Sequence, residues 1–115
     1  MCRYKRTCAE CGEAFESADT KAEFCCTAHR QAFNNRRIQR GGELYDLFMA
    51  CRYDRDLART WRAMTMLYRM AQEFRAQDVA ERQGRKSWRH PKRILERHPH
   101  LQAVATDIRP RARRS

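Results

Sequence analysis

The chain has 115 residues and carries 25 Lys plus Arg against 14 Asp plus Glu, a formal net charge of +11 at neutral pH. That length suffices for one small domain, or a very small module with helical additions, and it allows only a modest core. No apolar run reaches the roughly 18 residues of a membrane-spanning helix, and no apolar run follows the basic start MCRYKRTC, so no secretory signal is expected.

Six cysteines in a chain read as cytoplasmic are more naturally metal ligands than disulfides. The charge is uneven. Residues 1–25 hold four bases against five acids, residues 26–42 hold four arginines and no acid, residues 43–83 balance seven against seven, and residues 84–115 hold ten bases against two acids. Of the 25 bases, 21 are arginine, whose planar fork suits bidentate contacts to phosphate and guanine.

Taken in chain order, residues 7–30 (TCAECGEAFESADTKAEFCCTAHR) come first. Small and polar residues predict a turn and a short hairpin there. Cys8-x2-Cys11 forms a knuckle with Gly12 where a residue without Cβ is favoured, and thirteen residues later comes Cys25-x3-His29. A spacing of four along a helix puts Cys25 and His29 on one face, so Cys8, Cys11, Cys25 and His29 can close a tetrahedral zinc site. A site with four protein ligands has no open position for water and acts structurally. Cys26 is an alternative to Cys25, at the tighter spacing of C-x2-H.

The next element is a helix from Thr27, whose hydroxyl is suited to capping, to Arg40, with Gly41-Gly42 expected to end it. Arg30, Asn34 and Arg37 recur at i, i+4, i+7 and form one polar face, with Arg36 and Arg40 nearby. Arg and Asn are the side chains that read guanine and adenine in the major groove. From Glu43, the residues Leu44, Leu47, Phe48 and Cys51 make one apolar stripe, and Leu57, Trp61, Met64, Leu67, Tyr68, Ala71 and Phe74 make a second, roughly 150° out of phase with the first. One straight helix cannot bury both, so a break is expected near Tyr53-Asp54, with Asp54 or Asp56 capping a second helix that ends at Gln83-Gly84. Trp61, Met64 and Tyr68 on that helix are the candidate contacts for a partner protein or a second copy. KRILER, between Pro91 and Pro99, predicts two helical turns. IRPRARRS reads as a disordered basic tail. In the C-terminal third, Arg85, Lys86, Arg89, Lys92 and Arg93 are interleaved with Trp88 and histidines, a pattern that contacts phosphate backbone.

The string Cys8, Cys11, Gly12, Phe15, followed by Phe24-Cys25-Cys26-Thr27-Ala28-His29-Arg30 and AFNNRR, resembles treble-clef zinc fingers of the FCS-like kind found in small bacterial and phage proteins. Cys26 stands where that family has Ser, and His29 where it has its last Cys. The resemblance spans residues 7–40 and implies a zinc-organised fold with nucleic-acid or protein binding. A ββα finger fits less well, since Phe24 and Lys21 occupy the positions of its first His and its Leu.

The expectation is a mostly α protein with a small zinc-stabilised, treble-clef-like knuckle, two or three helices and a basic C-terminal arm. Its parts are residues 1–42, 43–84 and 85–115. No carboxylate pair, nucleophile–base arrangement or phosphate-binding loop is visible, so a non-enzyme is expected. DNA binding with a regulatory role, placing the protein at the nucleoid, is the leading function, with RNA still open. A protein-interaction adaptor is the alternative.

Overall fold

The computed structural model describes residues 3–101. The basic tail and Cys2 lie outside them. Strands β1 (Tyr4–Thr7) and β2 (Ala14–Ser17) pair antiparallel, with Tyr4 opposite Ser17 and Thr7 opposite Ala14. The knuckle is the turn that joins them. Gly12 donates its N–H to the Cys8 carbonyl at 2.9 Å and Cys8 donates to Glu13 at 2.9 Å. Gly12 has φ +78°, and a Cβ there would meet the Arg85 side chain at 3.0 Å, so both backbone and packing require glycine. The hairpin thus straddles the knuckle, and residues 18–26 contain no strand.

Helix α1 (Thr27–Tyr53) begins one residue earlier than a Thr27 cap would place it. Cys26 is the extended N-cap residue and makes no side-chain cap hydrogen bond. The helix then runs straight through Gly41-Gly42, which corrects the expected stop. Two helical glycines cost about 1 kcal/mol each relative to alanine. Tertiary contacts override that cost, because both sides of the pair are anchored: Arg36 and Arg40 are held by carboxylates on one side, and Leu44, Leu47 and Cys51 are turned inward on the other. The expected boundary at residue 42 therefore falls inside one helix.

The break at Tyr53-Asp54 is where the stripes placed it. Asp54 ends α1 and caps α2 (Arg55–Thr60), accepting from the Leu57 N–H at 3.3 Å. The second helix is not continuous, however. Arg62 adopts a left-handed conformation, φ 53° and ψ 50°, and separates α2 from α3 (Ala63–Arg82). These two bends fold α3 back along α1. The inward face of α3 comprises Ala63, Leu67, Met70, Phe74, Asp78 and Arg82, while Leu57, Trp61, Met64 and Tyr68 are exposed. The second stripe was thus only partly a core stripe. Gln83 and Gly84, both at positive φ, end α3, and Gly84 donates to the Asp78 carbonyl at 3.0 Å, the left-handed helix end that glycine favours. Helix α4 (Pro91–Arg97) matches KRILER with Pro at its first turn.

Among the described residues, the buried apolar side chains are Cys8, Phe33 and Ala63, and the buried polar ones are Asp78, Arg82 and Ser87. Phe33 packs against Phe24, with ring centroids 5.2 Å apart, and lies beneath the guanidiniums of Arg37 and Arg89. The polar set forms a chain. Arg36 reaches Glu10 at 2.7 Å and Arg40 reaches Asp78 at 3.0 Å. Ser87 donates to Asp78 at 3.1 Å. Arg82 pairs with the Glu10 carboxylate and also donates to the Ala9 and Lys86 carbonyls.

Burial alone would raise the carboxyls of Glu10 and Asp78. The guanidiniums of Arg36 and Arg82 outweigh it for Glu10, and those of Arg40 and Arg82, with the Ser87 hydroxyl, for Asp78, so both lie below their ordinary values. A lowered folded pKa contributes stability that is present above the unfolded value and lost on acidification. Stability should therefore be level above about pH 5 and fall as the pH drops past 4.5 and 3.8, the ordinary values of Glu and Asp. Replacing Asp78→Asn removes the buried charge facing Arg40 and Arg82 and should cost about 3 kcal/mol, read by urea unfolding at pH 7. The variant should also show a shallower acid transition than the wild type.

Candidate metal centre and the basic surface around it

Four side chains from two elements converge. The knuckle contributes Cys8 and Cys11. The entry to α1 contributes Cys25 and, one turn on, His29. Their ligand atoms all lie within 4.8 Å of one another. His29 Nδ1 is 3.0 Å from Cys25 Sγ and 3.8 Å from Cys8 Sγ, and the sulfurs of Cys11 and Cys25 are 3.9 Å apart. A tetrahedral ion with bonds of about 2.3 Å to sulfur and about 2.0 Å to nitrogen separates its ligand atoms by roughly 3.3–3.8 Å, so the donor set fits a metal ion. Two features position it. The Ala9 N–H bonds the Glu23 carbonyl at 2.8 Å, and Arg6 Nε bonds the Ala22 carbonyl at 3.0 Å. Together they draw the 18–26 segment across the hairpin and bring Cys25 to the knuckle.

The thiols carry the imprint of this crowding. Burial would raise Cys8, yet the backbone N–H groups of Cys11, Cys25 and Glu10 and the His29 side chain favour its thiolate and bring it down to about 6. Cys25 is pushed up to about 12 by loss of water around its thiol, by hydrogen bonds to Cys8, Cys11 and Cys26, and by the Cys8 charge. Three sulfurs this close cannot all ionise unless a cation lies among them, which is the condition a bound metal supplies. Cys26 lies 3.9 Å from Cys25 Sγ and outside the convergent group. Cys25 is therefore the better-placed ligand of the two.

The ten candidate nucleic-acid contacts divide in two. Arg36 and Arg40 face Glu10 and Asp78, Arg89 and Arg93 face Glu23, and Arg85 donates to the Glu10 carbonyl at 3.0 Å. Arg30, Asn34, Arg37, Lys86 and Lys92 have no carboxylate partner among the described residues. Arg37 lies over Phe33, and Lys86 lies over the Trp88 ring at 5.7 Å. Two cavities open at this surface. One, of about 770 Å³, has the knuckle as its floor, with Arg6, Arg85, Lys86, Trp88, Arg89 and Arg93 around it. The other, of about 500 Å³, takes in Lys21, Thr27, Arg30 and Asn34 and shares Glu23 and Arg89 with the first.

Sequence reasoning did not find Glu10, Glu23, Asp78 or Arg82. The available signal was thin: an acid inside the knuckle, another beside Phe24, and lone acids facing basic segments. Trp61, Met64 and Tyr68 are exposed, at 69%, 48% and 64%. No helix among the described residues is long and apolar enough to cross a membrane. Comparisons with protein-family models, with curated proteins and with solved structures give no match.

Metal analysis of the purified chain should find one ion per molecule. Cys26→Ser should keep it, whereas Cys25→Ser and Cys8→Ser should lose it. Excess chelator should collapse the amide dispersion of residues 7–30, because metal binding and folding are one equilibrium in so small a unit.

Proposed function

We propose that this chain is a zinc-stabilised, treble-clef-like DNA-binding protein with a regulatory role. Zinc is the ion of choice for three thiolates and one imidazole, since thiolate softness disfavours magnesium and calcium. Four donors leave no place for a substrate, so the ion holds the hairpin to the start of α1. The knuckle and a ligand-bearing first helical turn agree with the treble-clef resemblance, less the hairpin expected between them.

One observation carries the DNA reading: eight bases and a half-exposed tryptophan from both ends of the described chain converge on two adjoining cavities beside the candidate metal centre. Glu23 is the acid common to both cavities, and Arg89, Arg93 and Arg97 surround it. Such a surface favours phosphate and accepts a stacked base or sugar against Trp88. Arg30, Asn34 and Lys86, none of them engaged by a carboxylate, are the contacts on which the reading rests.

The adaptor reading draws on one separate observation, the exposure of Trp61, Met64 and Tyr68 away from the basic surface. Polar replacements there should leave DNA affinity unchanged.

Titrations on duplex DNA, single-stranded DNA and RNA at two salt concentrations test the proposal. Arg30→Glu with Lys86→Glu should reduce duplex affinity at least tenfold and lower the salt slope by about one per lost phosphate contact. Affinity that is unchanged in this variant, or that survives chelation, would count against it.

A further inference from the structure

Gly41 and Gly42 lie at the middle of a 27-residue helix, and nothing within the chain requires them. A Cβ at either position would meet no atom within 4 Å, and both have negative φ, open to any residue. Their helix penalty, about 1 kcal/mol each, gains no contact in the monomer. The face they occupy is the one α1 leaves uncovered. At 100° per residue, Ile38, Tyr45 and Met49 form a straight line along the helix, with Gly41 and Gly42 on either side of it. Ile38 is 73% exposed, Tyr45 65% and Phe48, on the flank, 63%. An exposed glycine and a half-buried one amid exposed large apolar residues make a helix face that a second helix can approach closely.

We infer that this face pairs two copies of the chain, α1 against α1 in antiparallel fashion about a twofold axis at Gly41-Gly42. Two points favour a second copy over an unrelated partner. First, the face is self-complementary. The midpoint between Gly41 and Gly42 is also the midpoint between Ile38 and Tyr45, so a reversed copy sets Tyr45 over Ile38 twice while glycine backs onto glycine. An isologous interface has this property.

Second, the area is sufficient. Tyr45, Phe48 and Tyr53 expose on the order of 400 Å² of aromatic surface per chain. Two chains then bury roughly 800 Å² before Ile38 and Met49 are added, near the ~1,000 Å² of a specific interface.

Ile38, Gly41, Gly42 and Tyr45 line neither basic cavity, but the reversed register sets Met49 opposite Asn34, so pairing and nucleic-acid contact compete for Asn34 and the pairing is measured without nucleic acid. Sedimentation velocity on the full metal-loaded chain tests it, with helicity by circular dichroism and metal content as controls for folding. The wild type is expected to dimerise at micromolar concentration. Gly41→Leu, which strengthens the helix itself while blocking close approach, and Tyr45→Lys should each weaken pairing at least tenfold. A wild type that stays monomeric up to millimolar concentration overturns the inference, as does any variant set that pairs as tightly as the wild type. Gly41→Leu separates the two meanings of glycine. Higher thermal stability with lost pairing is expected, and higher stability with pairing intact overturns it.

Discussion

Glu10 sits between the two cysteines of the knuckle and is held by guanidiniums from two different helices, Arg36 of α1 and Arg82 of α3. Arg85 and Arg82 also take its backbone carbonyl. That single residue ties the metal centre to the helical hairpin. The Arg82 bond to the Ala9 carbonyl, the Arg89–Glu23 pair and the Phe24–Phe33 contact reinforce that tie. Asp78 repeats the device one helical turn before Arg82, engaging Arg40 across the hairpin and Ser87 from the following loop. Ion pairs this deeply placed are roughly neutral in net stability, because desolvation offsets attraction. Removing one partner is nonetheless severe, since it strands a buried charge. Such a network fixes geometry more than it supplies stability.

Stability must then come from elsewhere. Among the described residues, three buried apolar side chains are few, and many large apolar residues face solvent. On the reading proposed above, a metal ion would supply what the core does not: a structural site in a small module contributes folding free energy outright. The two devices depend on each other. A bound ion would close the knuckle that presents Glu10, and Glu10 positions the helices that hold the α1 entry against the knuckle. Losing either should loosen both.

The convergence of Cys8, Cys11, Cys25 and His29 was legible in the sequence because the pattern that sets it is local. Two cysteines in a tight turn and a Cys/His pair one helical turn apart declare themselves by spacing alone. The break at Asp54 was legible as well, because two apolar stripes out of phase cannot share one straight helix. The continuity of α1 was not. Gly41-Gly42 is a helix terminator by local preference, and only contacts 37 or more residues away, Arg40 to Asp78 and Gln77, keep the helix going. Arg62 in a left-handed conformation was hidden for the same reason: the reversal of α3 against α1 imposes it, and nothing in the residue itself does. The pairings of Glu10, Glu23 and Asp78 follow from the tertiary fold, so no pattern along the chain announces them.

The same arginines were read from sequence as ligands for phosphate, and the geometry explains how one residue type serves both ends. Arg89 grips Glu23 through Nε and Nη2, at 2.7 and 3.2 Å, which leaves Nη1 free of the carboxylate. Arg85 uses Nε on the Glu10 carbonyl and still turns its fork toward the cavity. A guanidinium has five donors in a fixed plane, so it can satisfy a carboxylate on one edge and keep another edge for an incoming anion; an ammonium holding the same carboxylate offers no such second edge of fixed direction. A fold held by carboxylates at the border of a surface proposed to take phosphate would therefore favour arginine at those positions over lysine. That gives a physical reason for part of the 21 arginines among 25 bases. It also means that net charge overstates the surface available to phosphate, because much of the excess is pinned by Glu10, Glu23 and Asp78 before any ligand arrives.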